Sequence, residues 1–384
     1  MYHLIIDSRW PTLPRKYNLP KTLTKFFRCV SQTSSNRVKM PRTEKVVFSA
    51  IQPTGIPHLG NYLGAMINWV KLQESENCDT KLIFSVADLH ALTMPQEPGN
   101  FKKARMQTLA SMLAVGLDEE RCTIFMQSEF GLVTELMWIL SCTASLGYLS
   151  RMTQWKSKMG LKQSSFENST SSTKTKLGLL SYPVLQAADI LIHRATHVPV
   201  GADQAQHLEF ARECVTNFNS TYSPVFVKPE TLLSPSRRIK SLTNQEVKMS
   251  KSSGPKNSRI LITDTKEEIR AKFSSAITDS DNRVSWDPEN RPGVANLLTI
   301  LSAFDTLGRA PKELAESMEG INLRELKNLL SQNVEEKLLP IREQYNKLIA
   351  DHDYLNKIAA RGLEKAYATG HQNLRLVREA IGLC

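Results

Sequence analysis

The 384-residue chain is long enough for two domains, and its 41% apolar and 23% charged residues are ordinary for a soluble globular protein. No stretch approaches the eighteen or so apolar residues a membrane span needs, and Cys29, Cys78, Cys122, Cys142, Cys214 and Cys384 include no C-x-x-C pair, which argues against a zinc ribbon or an iron–sulfur cluster and fits free thiols in a reducing compartment. The formal charge of +11 suggests nucleic acid, but residues 1–42 hold nine Lys and Arg against Asp7 alone, so the remainder is nearly balanced and any RNA-binding patch must be local.

The segment 1–42 is acid-poor, rich in Arg, Lys, Ser and Thr, and lacks the apolar stretch of a secretory signal. Leu19, Leu23, Phe26, Phe27 and Val30 recur at helical spacing, Lys21, Lys25 and Arg28 fall on another face, and Pro20 suits a first turn. The expectation is a transit peptide over 1–42, cut between Arg28 and Arg42 and directing the chain to the mitochondrial matrix. A disordered basic tail that touches RNA is the competing reading.

From Lys45 the pattern changes. Val46–Ile51 reads as a buried strand closed by the turn Gln52-Pro53-Thr54-Gly55, and a helix follows with Leu59, Leu63, Met66 and Val70 on one face. A second strand, Lys81–Ala87, leads to Asp88-Leu89-His90 and a helix over roughly 101–116. A third strand, Thr123–Met126, precedes a helix over roughly 132–147. Strands alternating with helices predict an α/β fold with a doubly wound parallel sheet, whose ligands sit beyond the carboxyl ends of the strands. Lys162–Lys176 is a Ser/Thr/Lys-rich stretch expected to be a surface loop. After Pro288 strand signals stop, and Ala295–Phe304, Asn322–Asn333, Glu335–Ile349 and His352–Ala368 read as helices of an all-α C-terminal domain.

Two runs carry chemistry. Gln52–Asn61 is a strand–turn–helix element in which Gly55 and Gly60 admit close backbone approach and the helix N-terminus offers N–H groups to phosphate, with His58 and Asn61 as further donors. By itself it is equally a tight turn entering a helix. Lys248-Met249-Ser250-Lys251-Ser252, followed by Ser253-Gly254-Pro255, is a flexible loop with two ammonium groups three residues apart, or else a merely solvated basic loop.

Together these runs resemble the paired ATP motifs of class I aminoacyl-tRNA synthetases, the second without change. Ala50–Gly55 with His58–Ala65, Val198–Gln204 with Gln206–Glu209, and Arg291–Leu298 are similar to bacterial-type and mitochondrial tryptophanyl-tRNA synthetases, so the resemblance spans about Val46 to the C-terminus. It implies a Rossmann-like catalytic domain over 43–240, a connector with the lysine loop over 241–290, and a helical anticodon-binding domain over 291–384. It also implies activation of L-tryptophan by ATP with Mg²⁺, transfer to tRNA(Trp), a homodimer, and no structural metal or membrane partner.

The resemblance implies site residues as well. His58, Asn61, Lys248 and Lys251 would be catalytic. Gln52, Pro53, Thr54, Gly60, Asn61, Gly201, Ala202, Asp203, Ile239, Met249, Ser250 and Ser252 would join the two lysines on ATP. Asp189 would accept the indole N–H, with Tyr182, Gln186, Gln52 and Gln204 on the amino-acid head group and His90 facing the substrate. Lys156 is either near ATP or a surface lysine, and His90 is either a site residue or a core histidine. His207, Trp69, Trp138 and Trp155 are assigned to structure and packing. The family more often has Gly at Ala50 and Met at Gln186. Tyr182-x-x-Leu185-Gln186-Ala187-Ala188-Asp189 also suits tyrosyl enzymes, but Gln52-Pro53-Thr54-Gly55 and Asn61 depart from their pattern. A non-catalytic RNA-binding relative is disfavoured by the intact lysines, and a small-molecule nucleotidyltransferase by the helical domain.

Overall fold

The computed structural model describes residues 44–152, 176–201, 204–233, 239–251 and 254–384. The transit segment, Trp155, Lys156, the Ser/Thr-rich loop up to residue 175, Ala202, Asp203 and Ser252 lie outside the described residues.

Strand β1 (Val46–Ile51) is apolar on both faces because it lies inside the sheet: Val47 points into one core and Phe48 into the other. With β2 (Lys81–Val86), β3 (Cys122–Met126), β4 (His197–Val200) and β5 (Glu230–Leu233) it forms a parallel sheet in the order β3-β2-β1-β4-β5. In β1 and β2 the register pairs Val46 with Lys81 and Ile51 with Val86, and in β2 and β3 it pairs Val86 with Met126. The strand order reverses between β1 and β4, so the carboxyl ends of those two strands diverge and leave a crevice.

One face of the sheet is covered by α1 (Leu59–Asn61), a π-helical turn (Tyr62–Met66), α2 (Ile67–Ser75) and α4 (Pro98–Ala114), with Trp69, Leu109 and Phe84 in their shared core. A short α3 (Asp88–Ala91) follows β2. The other face carries α5 (Leu132–Ser141), α6 (Leu146–Arg151), α7 (Leu177–Ile192) and α8 (Ala205–Thr221), around Phe130, Leu191 and Phe210. The expected helix over 132–147 is two helices, because Ser145 caps a fresh start by accepting the N–H of Tyr148. Trp138, expected to pack, is 72% exposed.

Beyond β5 come α9 (Lys266–Ser274), α10 (Pro292–Phe304), α11 (Pro311–Glu316), α12 (Leu323–Ala350) and α13 (His352–Ile381). The helices expected at 322–333 and 335–349 are one, since buried Leu330, Val334, Leu338 and Ile341 continue a single apolar stripe past Pro340. The last helix runs thirteen residues beyond Ala368 because Leu374 and Val377 extend its buried face.

These helices do not hang from the sheet as a separate layer: Glu44–Cys384 form one unit. Helix α13 lies directly against β3, and Gly362 makes that possible. A Cβ there would stand 1.8 Å from the carbonyl oxygen of Ile124, and one at Gly370 would stand 2.4 Å from the Phe130 ring. The backbone clash at Gly362 cannot be relieved by a rotamer change. Gly362→Ala is therefore expected to cost about 1–3 kcal/mol as an overpacked contact, read as a lower urea midpoint at unchanged m value. A loss below about 0.5 kcal/mol, the range of an ordinary surface substitution, would contradict this packing.

Candidate active site

The crevice at the strand-order reversal is a cavity of about 470 Å³. Ala50, Ile51 and Gln52 line it from the end of β1, and Pro199, Val200 and Gly201 from the end of β4. Tyr182, Gln186 and Asp189 enter from α7, Asn61 from α1, and His90 from α3. The tryptophan-side candidates Gln52, His90, Tyr182, Gln186, Asp189 and Gln204 therefore meet in one space, although they come from four separate stretches of chain.

Its floor is the Asp189 carboxylate, 5% exposed on the buried face of α7. His90 Nε2 lies 2.9 Å from Oδ2. The amide nitrogen of Gln127 straddles both oxygens, donating at 2.8 Å to Oδ1 and 2.7 Å to Oδ2. The Leu89 N–H donates to Gln127 Oε1 at 3.1 Å, which fixes which end of the amide faces the acid. Gln127 is absent from the sequence-derived site. The available signal was its position, the first residue after β3, at the strand end where such sheets place ligands.

A second network forms the opposite corner. His207 Nδ1 donates to Gln204 Oε1 at 3.0 Å, so its Nε2 accepts the Tyr182 hydroxyl at 3.2 Å. Gln186 donates to the same Gln204 oxygen at 3.3 Å. His207, 1% exposed, thus keeps its structural assignment, and what it structures is Tyr182 and Gln204. Gln186, where the resembling family more often has Met, finds a polar partner for its amide nitrogen in Gln204. Burial pushes the Tyr182 phenol well above the usual range, so it remains a neutral donor.

The phosphate-side candidates gather around the start of α1. His58 caps that helix: its Nδ1 accepts the Asn61 N–H at 3.3 Å while Asn61 Oδ1 accepts the His58 N–H at 3.2 Å. Burial, together with the charges of Lys251, Lys248 and Arg259, lowers the His58 pKa to about 3, so the ring is neutral and its Nε2 carries the proton. Gly55 sits at φ +89°, which closes the turn after Pro53, itself buried. Gly60 packs on Met249, where a Cβ would come 3.6 Å from the methionine Cβ.

Met249 is 1% exposed and ties the lysine loop to this turn, its N–H donating to the carbonyl of Ile239 at 3.0 Å. Ile239 is itself 1% exposed and packs in the core. Ser250 is half-buried beside Met249. Lys248 is exposed, and the half-buried Lys251 crosses to the first motif, where Nζ donates to the Thr54 carbonyl at 3.2 Å and its hydroxyl at 3.4 Å. Burial and then Arg259 lower the Lys251 pKa to about 7. The two motifs meet across 197 residues of chain. Among the described residues there is no cluster of three His, Cys, Asp or Glu able to hold a metal ion.

The family model of class I tRNA synthetases (W and Y) matches residues 40–338. The mitochondrial tryptophan–tRNA ligase of Schizosaccharomyces pombe is 42% identical over 345 residues, 88% of this chain and 95% of that protein. Its counterpart in Saccharomyces cerevisiae is 43% identical over 344 residues, 88% of this chain and 90% of that one. Among solved structures, the tryptophanyl-tRNA synthetase of Campylobacter jejuni complexed with ADP and tryptophan superposes with a TM-score of 0.71 at 31% identity, covering 88% of this chain and all of that one.

The electrostatics of Lys251 have a measurable consequence. With its pKa at about 7, Lys251 is largely neutral above that pH, and a polyphosphate placed beside it must raise the value. Binding of ATP at pH 8 should therefore take up protons through this lysine, whereas well below pH 7 the lysine is already charged and contributes none. Titration calorimetry in two buffers of different ionisation enthalpy should give different heats at pH 8, with the difference much reduced in Lys251→Met. Buffer-independent heats at pH 8 would contradict this account of the lysine.

Proposed function

The chain belongs to the class I tRNA synthetase family of the tryptophanyl and tyrosyl enzymes, and on that premise we propose that it works as a tryptophan–tRNA ligase in the following way. Tryptophan enters the 470 Å³ cavity with its indole against the floor, and Asp189 accepts the ring N–H. Tyr182, Gln186, Gln52 and Gln204 hold the ammonium and carboxylate. A carboxylate oxygen of tryptophan then attacks the α-phosphorus of ATP, the bond to the bridging oxygen of pyrophosphate breaks, and tryptophanyl-adenylate forms. In the second step a hydroxyl of the terminal ribose of tRNA attacks the acyl carbonyl and releases AMP.

Phosphoryl transfer of this kind asks for positioning and cationic stabilisation and for no covalent enzyme intermediate. Neutral His58 supplies an Nε2 donor, and Lys248 and Lys251 supply charge at the leaving pyrophosphate. Lys251 rests on the Thr54 carbonyl at the edge of the phosphate turn, so it needs only a local movement to reach a triphosphate. Mg²⁺ arrives with ATP as part of the substrate.

The observation that carries the choice of a substrate with a donor on its ring is the buried Asp189 at the foot of the cavity. A buried acceptor rejects a side chain that brings no donor to it, because its own hydrogen-bonding capacity then goes unmet. The 42–43% identity to tryptophan–tRNA ligases supports tryptophan over tyrosine. The basic segment 1–42 supports import into the mitochondrial matrix, as does the mitochondrial assignment of those two relatives. The helices from residue 291 onward are proposed to read the anticodon. Exposed Trp138 and Leu146, on the neighbouring helices α5 and α6, support a homodimer that covers them.

Exchange of pyrophosphate into ATP tests the activation step. The exchange should depend on tryptophan and not on tyrosine. Lys251→Ala should reduce it about 10²-fold or more, the loss typical of removing one group that stabilises transition-state charge, while tryptophan binding stays within about twofold. Exchange driven by tyrosine would reverse the choice of substrate, and parallel loss of tryptophan binding in Lys251→Ala would displace the lysine from its role.

A further inference from the structure

Resting on the reading of Asp189 as the indole acceptor, we propose that Gln127 is a specificity-positioning residue, which aims that carboxylate at the substrate without neutralising it. Gln127 is 1% exposed and lies at the foot of the tryptophan cavity, where it touches the acid and not the cavity space. Its amide nitrogen lies within 2.8 Å of both carboxylate oxygens, so the plane of the carboxylate is set against a single donor. A lone pair of Oδ1 is left for a further N–H, because His90 adds its bond to Oδ2 only.

The hold on Gln127 itself is unusually complete. Its oxygen accepts the Leu89 N–H, and the next residue, Ser128, is fixed by Asp88, whose Oδ1 accepts the Ser128 N–H at 2.7 Å and whose Oδ2 accepts the Ser128 hydroxyl at 2.6 Å. Asp88 is 1% exposed and is held in turn by Arg105 Nε at 2.6 Å. Arg105, the arginine of this network, is therefore committed to Asp88 and to Glu129, and not to Asp189. This arrangement suits a carboxylate that must keep its acceptor strength. An arginine at position 127 would spend the charge in an ion pair, and an apolar residue would leave the carboxylate free to turn away from the ligand.

The proposal predicts a change in discrimination and not only in activity. In pyrophosphate exchange, kcat/KM would be measured for tryptophan and for β-(3-benzothienyl)alanine, which has nearly the same shape but no ring N–H. Wild type should prefer tryptophan. In Gln127→Met that preference should shrink about tenfold, through a higher KM for tryptophan with kcat and the analogue's kcat/KM little changed. Gln127→Glu, which keeps the shape but sets a second carboxylate against Asp189, should lose at least as much. Activity with the analogue reports that each variant is folded, and either variant alone suffices for the test. An equal fall for both substrates, or a preference kept at the wild-type ratio, overturns the proposal for Gln127 and leaves the indole contact standing. A wild type with no preference for tryptophan removes the Asp189 reading and this proposal with it.

Discussion

A buried carboxylate that must remain open to one more donor is the constraint on which the site depends. Burying Asp189 is costly unless its oxygens are hydrogen-bonded, yet bonding all of them, or pairing it with a cation, would leave nothing for a substrate. The chain resolves this with donors from elsewhere in the fold: His90 after β2 and Gln127 after β3, both reaching an acid carried by α7. They arrive side by side because β2 and β3 run parallel and in register, Val86 opposite Met126. The sheet is thus the device that sets the direction in which Asp189 accepts.

The same sheet determines where phosphate chemistry can occur. The reversal between β1 and β4 opens the crevice, and the turn after β1 brings Gly55, His58 and Gly60 to its rim. What keeps the lysine loop there is apolar: Met249 is buried on Gly60, and the backbone around Ile239 and Ile260 bonds to either side of the contact. Met249 and Ile260 are buried, whereas Lys248 is exposed and half-buried Lys251 reaches Thr54. A loop anchored by its apolar residues and charged at its tip can close on a triphosphate without repacking the core. Helix α13, pressed on β3 through Gly362, braces the strand that leads into Gln127.

Much of this was legible in the sequence, for identifiable reasons. β1 and β3 announce themselves because strands covered on both faces are apolar throughout. β4 and β5 did not, being four residues each, with His197 and Pro199 breaking the pattern of the former. The two phosphate motifs were readable because their chemistry is local, whereas the contact of Lys251 with Thr54 was not, since 197 residues separate them. Gln127 escaped for a similar reason. Its meaning comes from strand register and from a partner 62 residues away, and nothing in its own neighbourhood marks it. Trp138 shows the opposite case: an aromatic on an amphipathic helix reads as packed and stands 72% exposed.

The central claim is that the free side of Asp189 binds the indole N–H, and it is tested most directly by the affinity of Asp189→Ala for tryptophan. Equilibrium dialysis without ATP should show binding weaker by roughly ten- to 150-fold, the worth of one hydrogen bond to a charged group, with ATP affinity measured on the same sample unchanged. Tryptophan bound by that variant as tightly as by the wild type would contradict the account.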